Sequence, residues 1–141
     1  DYGCCQKQRW QDCFPDVRLD DGTATMSSLI KKSRLYISTY NGTTFLETLS
    51  LNVPTIMFWN PRHWELRDAA IPYFDRLKKV GIFHETPESA AAKVAEIWND
   101  VPGWWSQPEI QEARKYFCHR FSRNTQQTLA DVEQVLRQMV R

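Results

Sequence analysis

Residues 38–59, STYNGTTFLETLSLNVPTIMFW, constrain the fold of this chain more than any other segment. A short β-rich run at 34–38 leads into the segment, residues 42–44 open a helical pattern, and an apolar run at 53–59 closes it. Short apolar runs bounded by turn residues are typical of buried strands. The segment therefore predicts one unit made of a strand, a turn, a helix and a second strand.

The same alternation continues along the rest of the chain. Strands that alternate with helices form a parallel sheet through right-handed crossovers. We therefore expect an α/β, Rossmann-like parallel sheet flanked by helices, with a helical C-terminal extension. The predicted strands are at 35–38, 55–59 and 82–84, with a strand end at 18–20, and the predicted helices are at 25–32, 43–51, 65–80, 88–99, 109–121 and 129–140. An interruption is expected at Asn124-Thr125.

The turn at Gly42-Thr43-Thr44 is a candidate phosphate site. The helix that follows a parallel strand points free N–H groups and its positive dipole end toward the carboxyl edge of the sheet, where anionic ligands bind. Gly42 lets the backbone come close to a ligand, and the two threonine hydroxyls can donate to phosphate oxygens. A structural role is the alternative, with Thr43 acting only as an N-cap.

Glu47 lies three and four residues after Thr44 and Thr43, and therefore on the same helical face. A carboxylate at this position can accept hydrogen bonds from both hydroxyls of a ribose. The alternative is that Glu47 is a capping-box partner or a solvated side chain.

The loop after the 55–59 strand also reaches the carboxyl edge of the predicted sheet. Asn60 opens this loop, and Arg62 or His63 can meet negative charge there. Trp59 or Trp64 can stack on a base or a sugar. A polar turn with one buried aromatic side chain is the structural alternative.

Two further candidates for base or sugar contacts are Arg67 and His84. His84 follows the short 82–84 strand and precedes a helix start, which places it at the same edge. Its structural alternative is a hydrogen-bonded loop histidine. Three tryptophans farther along, Trp98, Trp104 and Trp105, are instead expected to pack in the core.

Composition and charge exclude several classes of protein. A chain of 141 residues with 42% hydrophobic content is enough for one domain with a genuine core. A net charge of +1 with interspersed charges gives no basic face for nucleic acid. No apolar run approaches the roughly 20 residues of a transmembrane helix, and the N-terminus lacks a secretory signal pattern. We expect a cytoplasmic protein without a transmembrane segment.

Neither the cysteines nor the acidic residues predict a metal site. The four cysteines, Cys4, Cys5, Cys13 and Cys118, lack zinc-ligand spacing and are expected to be reduced thiols. Asp20-Asp21 is expected at a different strand end from the phosphate turn. We therefore expect no metal ion and no other cofactor.

The pattern S-x-x-x-G-T-T-x-x-E at 38–47, followed by N-x-P-T-I at 52–56, resembles the C-terminal, donor-binding half of GT-B glycosyltransferases and their relatives. Those relatives include sugar-nucleotide 2-epimerases and the capsule and teichoic-acid polymerases. Longer segments, FPDVRLDDG, TTFLETLSLNVPTIMFW, WELRDAAIPYFDRLKKVGIFHET and DVPGWW, resemble transferases of bacterial surface-carbohydrate biosynthesis. Some relatives of these transferases are Kdo transferases that use CMP-Kdo. This narrower resemblance covers nearly the whole chain.

The resemblance implies that Gly42, Thr43 and Thr44 hold the donor phosphate and that Glu47 binds the ribose. It implies a CMP- or UDP-linked sugar donor, and a carbohydrate or lipid-linked acceptor bound by an N-terminal domain that also supplies the catalytic base. No catalytic residue is assigned within this chain for that reason.

The chain is expected to be a single nucleotide-sugar-binding domain and part of a longer two-domain protein, cytoplasmic and peripheral at the inner membrane. Two alternatives remain open at this point. One is a nucleotide-sugar epimerase or polyol-phosphate transferase domain, and the other is a non-catalytic, flavodoxin-like binding module.

Overall fold

The structure is a computed structural model that describes residues 5–123 and 128–139. The chain divides into two compact units, Asp1–Lys32 and Ser33–Arg141. The predicted interruption at Asn124-Thr125 lies outside the described residues.

The first unit contains two short helices, α1 (Gln6–Cys13) and α2 (Met26–Lys32), joined by coil. Residues 18–20 are part of this coil, so the strand end predicted there is wrong. The Asp21 carboxylate accepts hydrogen bonds from the Thr23 backbone N–H at 3.0 Å and from the Thr23 hydroxyl at 2.6 Å. These bonds, the hydroxyl's first, lower the pKa of Asp21. A local turn therefore takes the place of a strand.

The second unit confirms the predicted alternation and the α/β class. Its elements, in chain order, are β1 (Tyr36–Ser38), α3 (Thr44–Ser50), β2 (Thr55–Phe58), a 3₁₀ turn (Asp68–Ala70), α4 (Ile71–Lys79), β3 (Phe83–His84), α5 (Pro87–Ile97), a second 3₁₀ turn (Trp98–Asp100), α6 (Val101–Trp105), α7 (Pro108–Phe121) and α8 (Thr128–Met139).

The three strands form one parallel sheet in the order β1-β2-β3. Tyr36 pairs with Thr55, and Met57 pairs with Phe83. α3 and α4 pack on one face of the sheet, as right-handed crossovers between parallel strands require, and α7 packs across both helices. α5 packs on β2 and β3 from the other face. All three strands therefore end at the same edge of the sheet.

An aromatic cluster fills the space between the sheet and the α3, α4 and α7 layer. Trp59 is at its centre with only 3% of its surface exposed. Its ring centroid lies 4.7 Å from that of Phe83, 5.6 Å from that of Phe45 and 5.7 Å from that of Phe74. Tilted and edge-on contacts of this kind are favourable between aromatic rings. Trp59 is therefore a core residue and not a surface for stacking a ligand.

Two predictions about helices need correction. The helix predicted at 65–80 begins only at Ile71, because Arg67 is extended and Pro72 occupies the first turn.

Trp98 was expected in the core but is 50% exposed, with the Arg34 guanidinium 5.1 Å from the ring centroid. The 3₁₀ turn that begins at Trp98 ends the register of α5, whereas Trp104 and Trp105 are buried as predicted.

α8 confirms the predicted C-terminal helix over the part that the structure describes. It carries an exposed apolar stripe made of Leu129, Val132, Val135, Leu136 and Met139. Within residues 5–123 and 128–139, none of the helices has the length and apolar character needed to cross a membrane.

Candidate functional site

The loop between β1 and α3 is shaped by its own backbone bonds. The Ser38 hydroxyl donates to the Tyr40 carbonyl at 3.1 Å, and the Gly42 N–H donates to the same carbonyl at 2.9 Å. α3 starts at Thr44, and the Thr43 hydroxyl makes no capping hydrogen bond. The structure therefore does not show the N-cap role that the sequence allowed for Thr43, and this exposed hydroxyl points to no described acceptor.

Gly42 is needed for space and not for backbone conformation. Its φ is not among the positive values in the chain. A Cβ built at Gly42 would lie 2.5 Å from Cε2 of Tyr40, so the Tyr40 ring lies directly against this glycine. The group that lies against Gly42 in this structure is the aromatic side chain of Tyr40.

Glu47 is exposed in the first turn of α3, one turn beyond Thr43. Its carboxylate makes no hydrogen bond or ion pair with residues 5–123 or 128–139. The capping-box alternative is therefore not observed, and the carboxylate is accessible from solvent.

α3 is fixed at its other end by buried polar groups. The Thr55 hydroxyl donates to the Thr48 hydroxyl at 2.9 Å, across the interface between β2 and α3. The Arg114 guanidinium of α7 donates from Nη1 to the Leu49 carbonyl at 2.8 Å, and Arg114 is buried. A cation at a helix C-terminus is favourable for the carbonyls and for the helix dipole. These contacts hold α3, and with it the turn at its start, against β2 and α7.

The loop after β2 is an asparagine-stabilised turn. Asn60 Oδ1 accepts from the Arg62 N–H at 2.9 Å, and the Asn60 carbonyl accepts from the N–H groups of His63 at 2.9 Å and Trp64 at 3.2 Å. The side chains of Arg62 and His63 are exposed and have no partner among the described residues. The same is true of Arg67, which lies just before the 3₁₀ turn.

Trp64 joins the second loop to the first. Its ring centroid lies 6.2 Å from that of Tyr40, with 48° between the ring planes. Tyr40 is 50% exposed and Trp64 is 46% exposed. The sequence indicated Trp64 as a stacking candidate but missed Tyr40, although an aromatic residue two positions before the glycine turn was a visible signal.

His84 lies at the end of β3 and both of its ring nitrogens have partners. Nε2 is 3.1 Å from the Gly81 carbonyl, and Nδ1 is 3.2 Å from the Ser89 hydroxyl. Because a carbonyl only accepts, these bonds assign the proton of the neutral ring to Nε2. Burial of the ring lowers the pKa of His84. This is the geometry of a hydrogen-bonded histidine, although at a strand end and not in a loop, and a ligand at His84 would have to replace one of these bonds.

The candidate residues thus follow the ends of all three strands, and the ring contact between Tyr40 and Trp64 brings the first two loops together. Arg67 is positioned by its own loop, and His84 is positioned by β3 and by its bonds to Gly81 and Ser89. In the part of the chain that the structure describes, no group of three or more His, Cys, Asp or Glu side chains could hold a metal ion.

The chain matches the model of a protein family. A family model described as LIC12162 family transferase matches residues 1–136. Searches of curated proteins and of solved structures found no significant match. The matched residues include both units and all of the candidate site residues. The chain therefore belongs to the LIC12162 family of transferases.

Proposed function

We propose that this chain binds the nucleotide-sugar donor of a glycosyltransferase in bacterial surface-carbohydrate biosynthesis, such as that of lipopolysaccharide or capsule. Membership of a transferase family supports group transfer as the chemistry. The resemblance of residues 38–56 to GT-B donor-binding domains supports a sugar nucleotide as the donor.

One observation carries the proposal. At the carboxyl edge of a parallel sheet, Thr43, Thr44 and Glu47 present oxygen atoms that have no hydrogen-bond partner within the described residues. Ligands of open α/β sheets bind at this edge. Hydroxyl donors beside a helix start suit a phosphate, and a carboxylate one turn away suits the two hydroxyls of a ribose.

In this proposal, Gly42, Thr43 and Thr44 hold the donor phosphate and Glu47 holds the ribose. Asn60, with the exposed side chains of Arg62, His63 and Arg67, surrounds the rest of the donor, and His84 borders the same edge. The acceptor, a carbohydrate or a lipid-linked carbohydrate, and the catalytic base belong to another domain, so this chain binds the donor without transferring it.

We also propose that donor binding needs no metal ion. Fixed N–H groups and hydroxyls compensate the phosphate charge when they are held in place before the ligand arrives. The contacts of Arg114 and Thr48 hold α3 in this way. Magnesium, manganese or EDTA should therefore change nucleotide affinity by less than about tenfold, which is about 1.4 kcal/mol.

Titration of the chain with CMP, UDP, GDP and ADP, followed by calorimetry and NMR, tests the proposal. We expect saturable binding in the micromolar to millimolar range, with CMP or CMP-Kdo first and a UDP derivative second. The double variant Thr43→Ala/Thr44→Ala should weaken binding of nucleotides but not of nucleosides, whereas Glu47→Gln should weaken binding of both. Ser27→Ala, which removes an exposed hydroxyl on α2, is the matched control.

Absence of saturable binding by every nucleotide up to several millimolar contradicts donor binding by this chain. Equal weakening of nucleotide and nucleoside by the double threonine variant contradicts the placement of the phosphate.

A further inference from the structure

Tyr40 and Trp64 form a continuous aromatic surface at the carboxyl edge of the sheet. The two side chains come from different loops, yet their rings are in contact at a centroid distance of 6.2 Å. Both remain about half exposed to water. Trp59, five residues before Trp64, shows that this region has a core in which a large aromatic ring can be buried. Tyr40 and Trp64 are held outside that core.

The aromatic surface borders the phosphate turn directly. The Tyr40 ring lies so close to Gly42 that a Cβ there would collide with it. The Trp64 end lies beside exposed polar groups, because Asn60 and His63 belong to the same turn. An exposed aromatic face with polar neighbours suits a ligand that has one apolar face and hydrogen-bonding edges.

The positions of Glu47 and Tyr40 on either side of the phosphate turn along the chain favour the sugar as the part of the donor that meets this surface, an argument that rests on the proposed function. Glu47 lies on the helix that leaves the phosphate turn, whereas Tyr40 lies on the segment that enters it. A nucleotide sugar has its phosphate between the nucleoside and the sugar. With the ribose on the Glu47 side of the turn, the sugar extends toward Tyr40 and Trp64.

The shape of the surface agrees with a sugar ring. The planes of the two rings meet at 48°, so they form an angled surface and not a parallel slot. Offset stacking of a flat base on both rings requires nearly parallel planes. A puckered pyranose can instead place different C–H groups of one face on each ring. We propose that Tyr40 and Trp64 are the residues on which the sugar ring of the donor stacks, and that they do not contact the base.

The test compares each free nucleotide with its sugar-linked form, CMP with CMP-Kdo and UDP with UDP-N-acetylglucosamine, using whichever pair the unsubstituted chain binds. Tyr40→Ala and Trp64→Ala should each weaken binding of the nucleotide sugar by about tenfold while changing the affinity of the free nucleotide by less than about twofold. Tyr40→Phe and Trp64→Phe should retain most of the affinity, since they keep an aromatic face. Trp98→Ala is the matched control, because Trp98 is equally exposed but lies beyond the end of α5.

Saturation-transfer NMR on the unsubstituted chain gives an independent readout that does not depend on the folding of any variant. Irradiation of the aromatic protons should transfer more magnetisation to the sugar protons than to the base protons. Equal loss of both ligands in the alanine variants, or stronger transfer to the base, overturns the sugar assignment and leaves donor binding intact. Unchanged affinity for the nucleotide sugar in both alanine variants also overturns it. Failure of the unsubstituted chain to bind any ligand of either pair contradicts donor binding itself, and the sugar assignment with it.

Discussion

At the scale of single residues, Gly42 and Gly81 show two different reasons for a position to hold glycine. Gly42 leaves room for the Tyr40 ring and has an ordinary backbone conformation. Gly81 has a φ of 76°, a region that residues with a side chain seldom adopt. The sequence showed both glycines but could not distinguish space from conformation, because the distinction depends on the position of a neighbouring ring.

This difference predicts that substitution of glycine by alanine affects the Trp64 signals at one position and the stability at the other. Gly42→Ala should move the Tyr40 ring, and with it shift the NMR signals of the Trp64 indole, while costing little stability because the ring can rotate away. Gly81→Ala should lower the free energy of unfolding by about 1 kcal/mol and leave the Trp64 signals unchanged. Chemical denaturation with indole NMR measures both effects, and unshifted Trp64 signals in Gly42→Ala would contradict the contact.

His84 predicts a dependence of stability on pH. Burial lowers its pKa below the ordinary value of 6.5, so the unfolded chain binds a proton more readily than the folded one. The contribution of His84 to stability is therefore complete above about pH 6.5 and decreases as the pH falls below that value. Melting temperatures of the unsubstituted chain and of His84→Gln between pH 5 and 8 should converge toward acid pH. A constant difference would contradict this role, and His63→Gln, at an exposed histidine, is the control.

At the scale of elements, the alternation of strands and helices was predicted correctly because it depends on local patterns of apolar residues. The start of α4 was not, because the effect of Pro72 competes with the apolar periodicity that suggested an earlier start. The exposure of Trp98 was missed because a change from α-helix to 3₁₀ turn rotates a side chain away from its expected register. The sequence indicated the turn at 42–44, but the pairing of Tyr40 with Trp64 depends on a contact between two loops.

α8 has little visible support from the rest of the described residues. Its apolar stripe is exposed, whereas β1, α3 and β2 surround buried side chains. Helices without tertiary packing are marginal in water. In hydrogen exchange, we expect protection of residues 36–58 well above that of Thr128–Met139. A dilution series identifies any protection that comes from pairing of two copies, and equal protection of both segments in a monomer would contradict the expectation.

At the scale of the whole Ser33–Arg141 unit, two contacts connect distant parts of the chain. Arg114 donates to the Leu49 carbonyl across 65 residues, and the Trp105 indole N–H donates to the Asn52 carbonyl across 53 residues. Both acceptors lie at the C-terminal end of α3 or just after it. The last helices of the core therefore hold the helix that begins at the candidate site.

Loss of the hydrogen bond from Arg114 to Leu49 should lower the stability of the whole unit. Arg114→Met leaves the buried Leu49 carbonyl without this donor, which should lower the free energy of unfolding by about 2 kcal/mol. Arg120→Met, at an exposed position on the same helix, should change it by less than about 0.5 kcal/mol. Urea denaturation measures both values. Equal values for the two variants would contradict the role assigned to Arg114.

The strand order also determines how the unit can assemble as it emerges during synthesis. Each strand pairs with the next one in sequence, so the sheet can be completed as soon as β3 has emerged. The Phe117 side chain of α7, which closes the aromatic cluster against Phe45 and Phe74, arrives only later. Until then, the side of the aromatic cluster that α7 covers is open to water. A nascent chain at this stage has its native strand order but exposes apolar aromatic side chains that favour aggregation. Premature termination before α7 should therefore yield insoluble protein.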